Sequence, residues 1–245
     1  MSTDDLITME DLVASQLSGW LDLSDDPATD LSFLAERVEL TSIDLSGTQA
    51  TDLSPLARLP HLQGLCLAKA GLHDLHSLAE LSGLRSLDLS DNEVTDLSPL
   101  VALEDLRSIR LERTAVVDLT TLARLPKLQW LHLGDTSVRD LSPLAGLTNL
   151  QTLDLTNTHV SDVSALAGLR NLQSLEMPGT SVSDLNPLRE LLHLETLRIG
   201  ETLVSDLSPL EGLINLEVLS AQNTPVCDIT PSEYGGAYPR KYQGV

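Results

Sequence analysis

Residues 128–149 read LQWLHLGDTSVRDLSPLAGLTN, and this 22-residue unit decides the fold because the chain repeats it from end to end. Leucine stands at positions 1, 4 and 6 of the unit, and the position-1 leucines follow at steps of 22 from Leu40 to Leu216 without an insertion. One further unit begins at Ser18 and keeps leucine at positions 4 and 6. The sequence therefore contains ten units, of which the first and the last are imperfect.

Within one unit, the residue pattern predicts a short strand, a corner and a short helical turn. The Leu-x-Leu alternation at positions 4 to 6 is typical of a strand with one buried face, and the leucines at positions 14, 17 and 20 have helical spacing. Aspartate at position 13 is a good N-cap, and proline at position 16 is tolerated in a first helical turn. One coil cannot bury its leucines alone, so a stack of coils must share one core.

The pattern resembles the leucine-rich-repeat family, in particular the 22-residue class found in bacterial internalins. The resemblance covers about residues 18–231 and implies an α/β solenoid, a curved arc with parallel strands on its concave face and short helical turns on its convex face. Threonine mostly replaces the asparagine that many family members carry at position 9, and no row of aromatic residues follows the strands. In this family the concave face usually binds protein partners, and the resemblance implies the same use here.

Both ends of the chain are expected to cover the terminal coils of the stack. Apolar residues at helical spacing between Leu6 and Leu17 predict an N-terminal helical cap in residues 1–17. The repeat motif fails at Ser232, and residues 232–245 carry three tyrosines at intervals of four. This C-terminal segment is either a lid over the last coil or a loose tail, and the sequence favours neither.

The charge of the chain limits its partners. The net charge of −21 argues against nucleic acid and against an anionic membrane, because both repel a polyanion. The acidic N-terminus and the two lone cysteines favour a cytoplasmic protein. Position 13 is aspartate in every unit, which we interpret as structural capping and not as a row of cation ligands. Residues 1–39 alone have a net charge of −9, so the acidity outside the capping series is concentrated at that end, where it either binds a partner or only keeps the protein soluble.

The sequence shows no motif for catalysis or for a cofactor. It contains neither a Walker loop nor a dinucleotide fingerprint. His73 and His76 flank Asp74 in the one tight cluster that looks like a metal site, but Asp74 belongs to the capping series and no third kind of ligand is obvious. Cys66 and His132 share position 5 three coils apart, which is beyond hydrogen-bond reach for a nucleophile and its base. We therefore expect no enzymatic activity, no cofactor and no metal.

The strand face offers the candidate binding site, because positions 3, 5, 7 and 8 are expected to project from the inner curve of the arc. In its middle, a flat apolar ring stands among two arginines and a titratable histidine, an arrangement suited to an acidic or aromatic segment of a partner. Flanking carboxylates would then engage basic groups around that segment. Tryptophan and arginine are enriched at the energetic centres of interfaces. The predicted partner-binding residues are Asp88, Arg110, Arg113, Trp130, His132, Asp154, Glu176 and Arg198.

These features favour a non-enzymatic protein that grips another protein, one with a basic surface, in its concave face. The absence of an effector domain suits an inhibitor or an immunity-type neutraliser. One alternative is an intracellular scaffold or regulatory subunit of an enzyme, and another is an internalin-like effector that binds a host protein. A captured partner would discriminate among the three, since they predict a toxic enzyme, a housekeeping enzyme and a host protein respectively.

Overall fold

The computed structural model of the chain describes residues 19–27, 30–49 and 52–228. Within them, ten three-residue strands pair in parallel, each with the next along the chain, in one open sheet of order β1 to β10. The strands are β1 Trp20–Asp22, β2 Ser42–Asp44, β3 Gly64–Cys66, β4 Ser86–Asp88, β5 Ser108–Arg110, β6 Trp130–His132, β7 Thr152–Asp154, β8 Ser174–Glu176, β9 Thr196–Arg198 and β10 Val218–Ser220. The predicted leucine-rich-repeat solenoid is thereby confirmed, with one strand for each of the ten units.

Short helices of the 3₁₀ type follow the strands, one in each coil. They are Ser32–Glu36, Ser54–Arg58, His76–Glu80, Ser98–Ala102, Thr120–Arg124, Ser142–Gly146, Ser164–Gly168, Asn186–Leu188, Ser208–Leu210 and Pro225–Asp228. None of these helices is long and apolar enough to cross a bilayer, nor is any other helix in the described ranges. The predicted N-terminal cap in residues 1–17 and the C-terminal segment 232–245 lie outside the described residues.

One continuous core runs the length of the stack, because each coil turns the same repeat positions inward. In the coil that begins at Leu128, the strand residue Leu131 and the helix residue Leu144 are both fully buried. Their counterparts in the neighbouring coils are buried in the same way, so every interior coil packs on two others. The prediction that positions 4, 6, 14, 17 and 20 point inward is confirmed.

The aspartates at position 13 cap the convex turns, as predicted. Asp140 Oδ1 accepts the backbone N–H of Ser142 at 2.8 Å, and its Oδ2 accepts the Ser142 hydroxyl at 2.9 Å. The capped element is a 3₁₀ helix with Leu141 at its N-cap, so the aspartate stands one residue earlier than an N-cap does. Nine coils share the bond from the N–H two residues on to the aspartate, namely those of Asp30, Asp52, Asp74, Asp96, Asp118, Asp140, Asp162, Asp184 and Asp206.

This capping predicts a loss of stability in acid. Hydrogen bonds from Ser142 hold the pKa of Asp140 below its ordinary value of 3.8. A carboxylate with a lowered folded-state pKa stabilises the fold above its unfolded-state pKa, and this stabilisation is lost as the pH falls through the folded-state pKa. We therefore expect the melting temperature, followed by circular dichroism, to fall between about pH 5 and about pH 2.

Two variants of Asp140 distinguish the stability contributed by its hydrogen bond from the stability contributed by its titratable charge. Asp140→Asn keeps an oxygen that can accept the Ser142 N–H but cannot titrate, so it should melt near the wild type at neutral pH and lose less stability in acid. Asp140→Ala removes the bond and should melt earlier at both pH values. A wild-type melting curve for Asp140→Ala would show that the cap contributes nothing to stability.

Candidate protein-binding face

Parallel pairing brings the central members of the predicted patch side by side. Arg110 is the pairing partner of His132, and His132 is in turn the partner of Asp154. Adjacent strands lie about 4.8 Å apart, so these position-5 side chains form a continuous column along the face. Trp130 stands in the neighbouring column between two small residues, Ser108 and Thr152. From β1 to β10 the position-5 column reads Asp22, Asp44, Cys66, Asp88, Arg110, His132, Asp154, Glu176, Arg198 and Ser220.

The side chains of this column shield one another from solvent more than an open surface would. His132 is 7% exposed and Asp88 is 8% exposed, although both belong to the face that was predicted to project outward. Trp130 is partly buried, whereas Trp20 at the same repeat position in the first strand is 44% exposed. The large ring at the middle of the arc is therefore only partly available to a partner.

Both central arginines are paired with carboxylates of their own face. Arg113 makes a bidentate pair with Asp91 of the preceding coil, with Nε–Oδ1 and Nη2–Oδ2 distances of 2.5 Å and 2.7 Å. Arg110 Nη1 lies 3.9 Å from Asp88 Oδ2, and its Nε lies 3.9 Å from Glu112 Oε1. Their part in binding an acidic segment therefore stays a prediction, and an incoming carboxylate would have to compete with carboxylates that neighbouring coils already supply.

Carboxylates dominate the three columns that end the strands and form the turn after them. Among the described residues, repeat positions 5, 7 and 8 hold ten acidic side chains and four lysine or arginine side chains. The acidic ones are Asp22, Asp25, Asp44, Asp88, Asp91, Glu112, Asp135, Asp154, Glu176 and Glu201, and the basic ones are Lys69, Arg110, Arg113 and Arg198. After the ion pairs of Arg110 and Arg113 are allowed for, these three columns of the concave face keep an excess of negative charge.

The two predicted site residues nearest the C-terminal end, Glu176 and Arg198, form a separate pair. Arg198 Nε lies 3.7 Å from Glu176 Oε1, which is an ion pair without a hydrogen bond. Burial raises the pKa of Glu176, and the charge of Arg198 opposes that shift. This pair lies in the same column as the central residues but two coils beyond His132.

A cluster that the sequence analysis missed lies at the centre of the face. His132 Nδ1 lies 3.8 Å from Glu112 Oε1 and 4.0 Å from Asp154 Oδ2, and one ligand atom from each residue lies within 4.8 Å of the others. Burial lowers the pKa of His132, against the opposing charge of Glu112. Glu112 and His132 are 20 residues apart in the sequence, and His132 and Asp154 are 22 apart. The sequence signal that could have revealed the cluster is that the three occupy repeat positions 7, 5 and 5 of successive coils.

The histidine cluster that the sequence argued against as a metal site, His73 and His76 beside Asp74, lies apart from these three residues and is exposed. His76 Nδ1 contacts Asp74, whose Oδ1 also accepts the backbone N–H of His76 at 2.8 Å. Asp74 is thus engaged as a cap, as predicted. The hydrogen bond to Asp74 and the negative charge of Asp74 raise the pKa of His76.

The buried cysteine of the concave column is a poor nucleophile. Burial, with a smaller contribution from the nearby carboxylates of Asp88 and Asp44, raises the pKa of the Cys66 thiol to about 12. A thiol with that pKa is protonated at neutral pH, and only the thiolate attacks substrates. The prediction that Cys66 and His132 do not act together is consistent with strands β3 and β6 being separated by two others.

Comparison with known proteins supports the repeat architecture. Residues 126–168 and 148–190 each match a family model described as leucine-rich repeats in two copies. An internalin (inlF) from Listeria monocytogenes aligns with a TM-score of 0.70 at 26% identity, over 91% of this chain and 78% of its own. Internalin C2 from the same species aligns with a TM-score of 0.63 at 27% identity, over 91% and 87% of the two chains.

A more distant relative shares the fold alone. A leucine-rich-repeat protein from Leptospira interrogans aligns with a TM-score of 0.67 at 22% identity, over 83% of this chain and 60% of its own. A search of curated protein sequences finds no match.

Proposed function

Because the chain is a leucine-rich-repeat protein whose solenoid is similar to those of Listeria internalins, we propose that it is a non-enzymatic module that binds a protein partner in its concave face. The contact surface of that partner is basic. The role that suits such a module best is that of a cytoplasmic inhibitor or immunity-type neutraliser. A scaffold for an enzyme and an internalin-like effector are the alternative roles, and the identity of the partner decides among them.

The observation that most supports this proposal is the excess of carboxylates at repeat positions 5, 7 and 8, where the strands end. Arg110 and Arg113 are matched within the face, so the charge left for a partner comes from acidic side chains such as Asp22 and Glu201, both exposed. Complementary charge across an interface speeds encounter and selects the partner. Exposed Trp20 and partly buried Trp130 add apolar contact area on the same face.

The proposal is tested by capture with the full chain, followed by titration of the purified partner in a calorimeter. Asp22→Asn removes one concave charge but keeps an oxygen to accept the Ser24 N–H. Glu36→Gln is the matched control, because Glu36 is exposed in the convex helix of the same coil. We expect weaker, less salt-sensitive binding in Asp22→Asn and wild-type binding in Glu36→Gln. The opposite ranking would move the interface to the convex side.

Trp130 is expected to contribute most to affinity within the predicted patch. Trp130→Ala should weaken partner binding by about 2 kcal/mol or more, the scale of an interface hot spot, while the protein remains folded. Val101→Ala is its control, since Val101 is a 44% exposed apolar residue in the convex helix Ser98–Ala102. Calorimetric titration of both variants against the captured partner provides the measurement. Unchanged affinity in Trp130→Ala would exclude the middle of the arc as the binding site.

A further inference from the structure

Three polar side chains at the centre of the concave face come from three successive coils. Glu112 lies two residues past the end of β5, and His132 and Asp154 are the last residues of β6 and β7. One ligand atom from each lies within 4.8 Å of the other two. The pairing of parallel strands therefore assembles a group that is far apart in sequence.

Each carboxylate of this group has one oxygen held by a neighbour and the other directed at the imidazole. Glu112 Oε2 lies 2.9 Å from the Ser90 hydroxyl, whose one proton it shares with Asp88 Oδ1 at 2.6 Å, while its Oε1 is the oxygen 3.8 Å from His132 Nδ1. Asp154 Oδ1 accepts the Thr156 N–H at 2.8 Å, while its Oδ2 is the oxygen 4.0 Å from the same nitrogen. Hydrogen bonds to the outer oxygen are the usual way in which proteins orient carboxylate ligands.

The His132 side chain is 9% exposed and makes no hydrogen bond through its ring within the described part of the chain. Its ring nitrogens are not among the fully buried atoms without a partner, so an ion or a water can reach them from the open face. Distances of 3.8 Å and 4.0 Å are too long for hydrogen bonds. They suit atoms that bind one cation, because ligand bonds of about 2.0–2.3 Å place two ligand atoms about 3–4 Å apart.

Space and charge at this point also favour a cation. Gly134 leaves the side of the cluster open, since a Cβ there would lie 3.3 Å from Asp154 Oδ2 and 3.7 Å from Glu112 Cγ. Arg110 is the nearest positive charge, with its Nη1 3.9 Å from Asp88 Oδ2 and its Nε 3.9 Å from Glu112 Oε1. The carboxylates of Asp88, Glu112 and Asp154 outnumber this one cation, so an excess of negative charge remains to attract an ion.

We propose that Glu112, His132 and Asp154 bind one divalent transition-metal ion, with Zn²⁺ as the best fit to one imidazole nitrogen and two carboxylate oxygens. Imidazole ligands favour zinc and its neighbours over calcium and magnesium, which prefer all-oxygen sites. Three protein ligands leave a four-coordinate ion one further position, which water or a donor atom of a bound protein can occupy. The site is independent of which partner the concave face binds.

Titration of the full chain with Zn²⁺, after dialysis against a chelator, tests the site by calorimetry. We expect one ion per chain and a higher melting temperature in the presence of zinc, because the ion binds only the assembled site. His132→Gln, Glu112→Gln and Asp154→Asn should each weaken binding at least tenfold. Asp154→Asn keeps an oxygen to accept the Thr156 N–H, so it tests the ligand with little effect on the fold.

The exposed histidines beside Asp74 supply the matched control. The double variant His73→Gln/His76→Gln should bind zinc as the wild type does. Co²⁺ gives a second readout, because its visible absorption reports the nitrogen and oxygen ligands and should be lost in His132→Gln. The proposal is overturned if the wild type binds no zinc, if His132→Gln binds it with wild-type affinity, or if the double variant abolishes binding.

Discussion

Replacement of Leu144 with alanine is expected to lower the free energy of unfolding by about 2–5 kcal/mol, the usual cost of a large-to-small change in a core. Leu144 is 0% exposed in the convex helix Ser142–Gly146, which packs on the helices of both neighbouring coils. The cavity left by the change weakens two coil interfaces at once, and a solenoid is stabilised chiefly by such nearest-neighbour interfaces. Urea unfolding followed by circular dichroism gives the measurement.

Leu203→Ala is the control for this experiment, because it makes the same chemical change at a residue that is 59% exposed. Leu203 occupies repeat position 10, outside the buried set, and its loss should change stability by less than about 0.5 kcal/mol. Comparable destabilisation by the two variants would contradict the assignment of the core to the inward repeat positions.

Replacement of Asn92 with alanine should cost about 3 kcal/mol, because it leaves several buried backbone groups without partners at about 1–3 kcal/mol each. Asn92 is 3% exposed, and its Oδ1 accepts the Leu72 N–H at 2.9 Å. Its Nδ2 donates to the carbonyls of Leu67 and Leu89 at 2.8 Å and 2.9 Å. Two of these bonds reach into the preceding coil, so one side chain serves two coils.

The reason for asparagine at this point lies in the coil before it. Elsewhere position 9 is mostly threonine, whose hydroxyl donates to the carbonyl three residues earlier, as Thr136 does to Leu133 at 2.6 Å. The preceding coil has Ala70 at that position, whose backbone N–H reaches the Leu67 carbonyl at 3.3 Å but which has no side-chain donor for it. Asn92 supplies the missing bond from the next coil.

A threonine series tests this explanation. Asn92→Thr should restore the bond to Leu89 but leave the Leu72 N–H unpaired and the Leu67 carbonyl with its Ala70 N–H alone, so its stability should fall between that of Asn92→Ala and the wild type. Adding Ala70→Thr should recover part of the loss by supplying the hydroxyl to Leu67. Equal stability of Asn92→Ala and the wild type, measured by urea unfolding, would show that these buried groups find other partners.

The 22-residue repeat correctly predicted which position-5 residues lie side by side. It did not predict which charged side chains form ion pairs. A step of 22 residues places Arg110 beside His132, and the pairing of β5 with β6 confirms this. The same step places Asp91 beside Arg113, but nothing in the sequence indicates that the two form a bidentate ion pair. Whether two long side chains meet depends on their rotamers and on the turn at the strand exit, where Arg113 has a φ of 53°. A residue pattern contains neither quantity.

The sequence by itself determined the number of coils, their strands, the inward leucines and the capping aspartates, because each of these follows from burial or hydrogen bonding within one 22-residue unit. Only the tertiary structure decided which side chains meet across coils. Glu112 reaches His132 and Asp154, and Asn92 reaches Leu67, because stacking brings each coil about 4.8 Å from the next and lets a side chain span that gap. Such contacts depend on side-chain direction and length, which vary from coil to coil while the repeat stays constant.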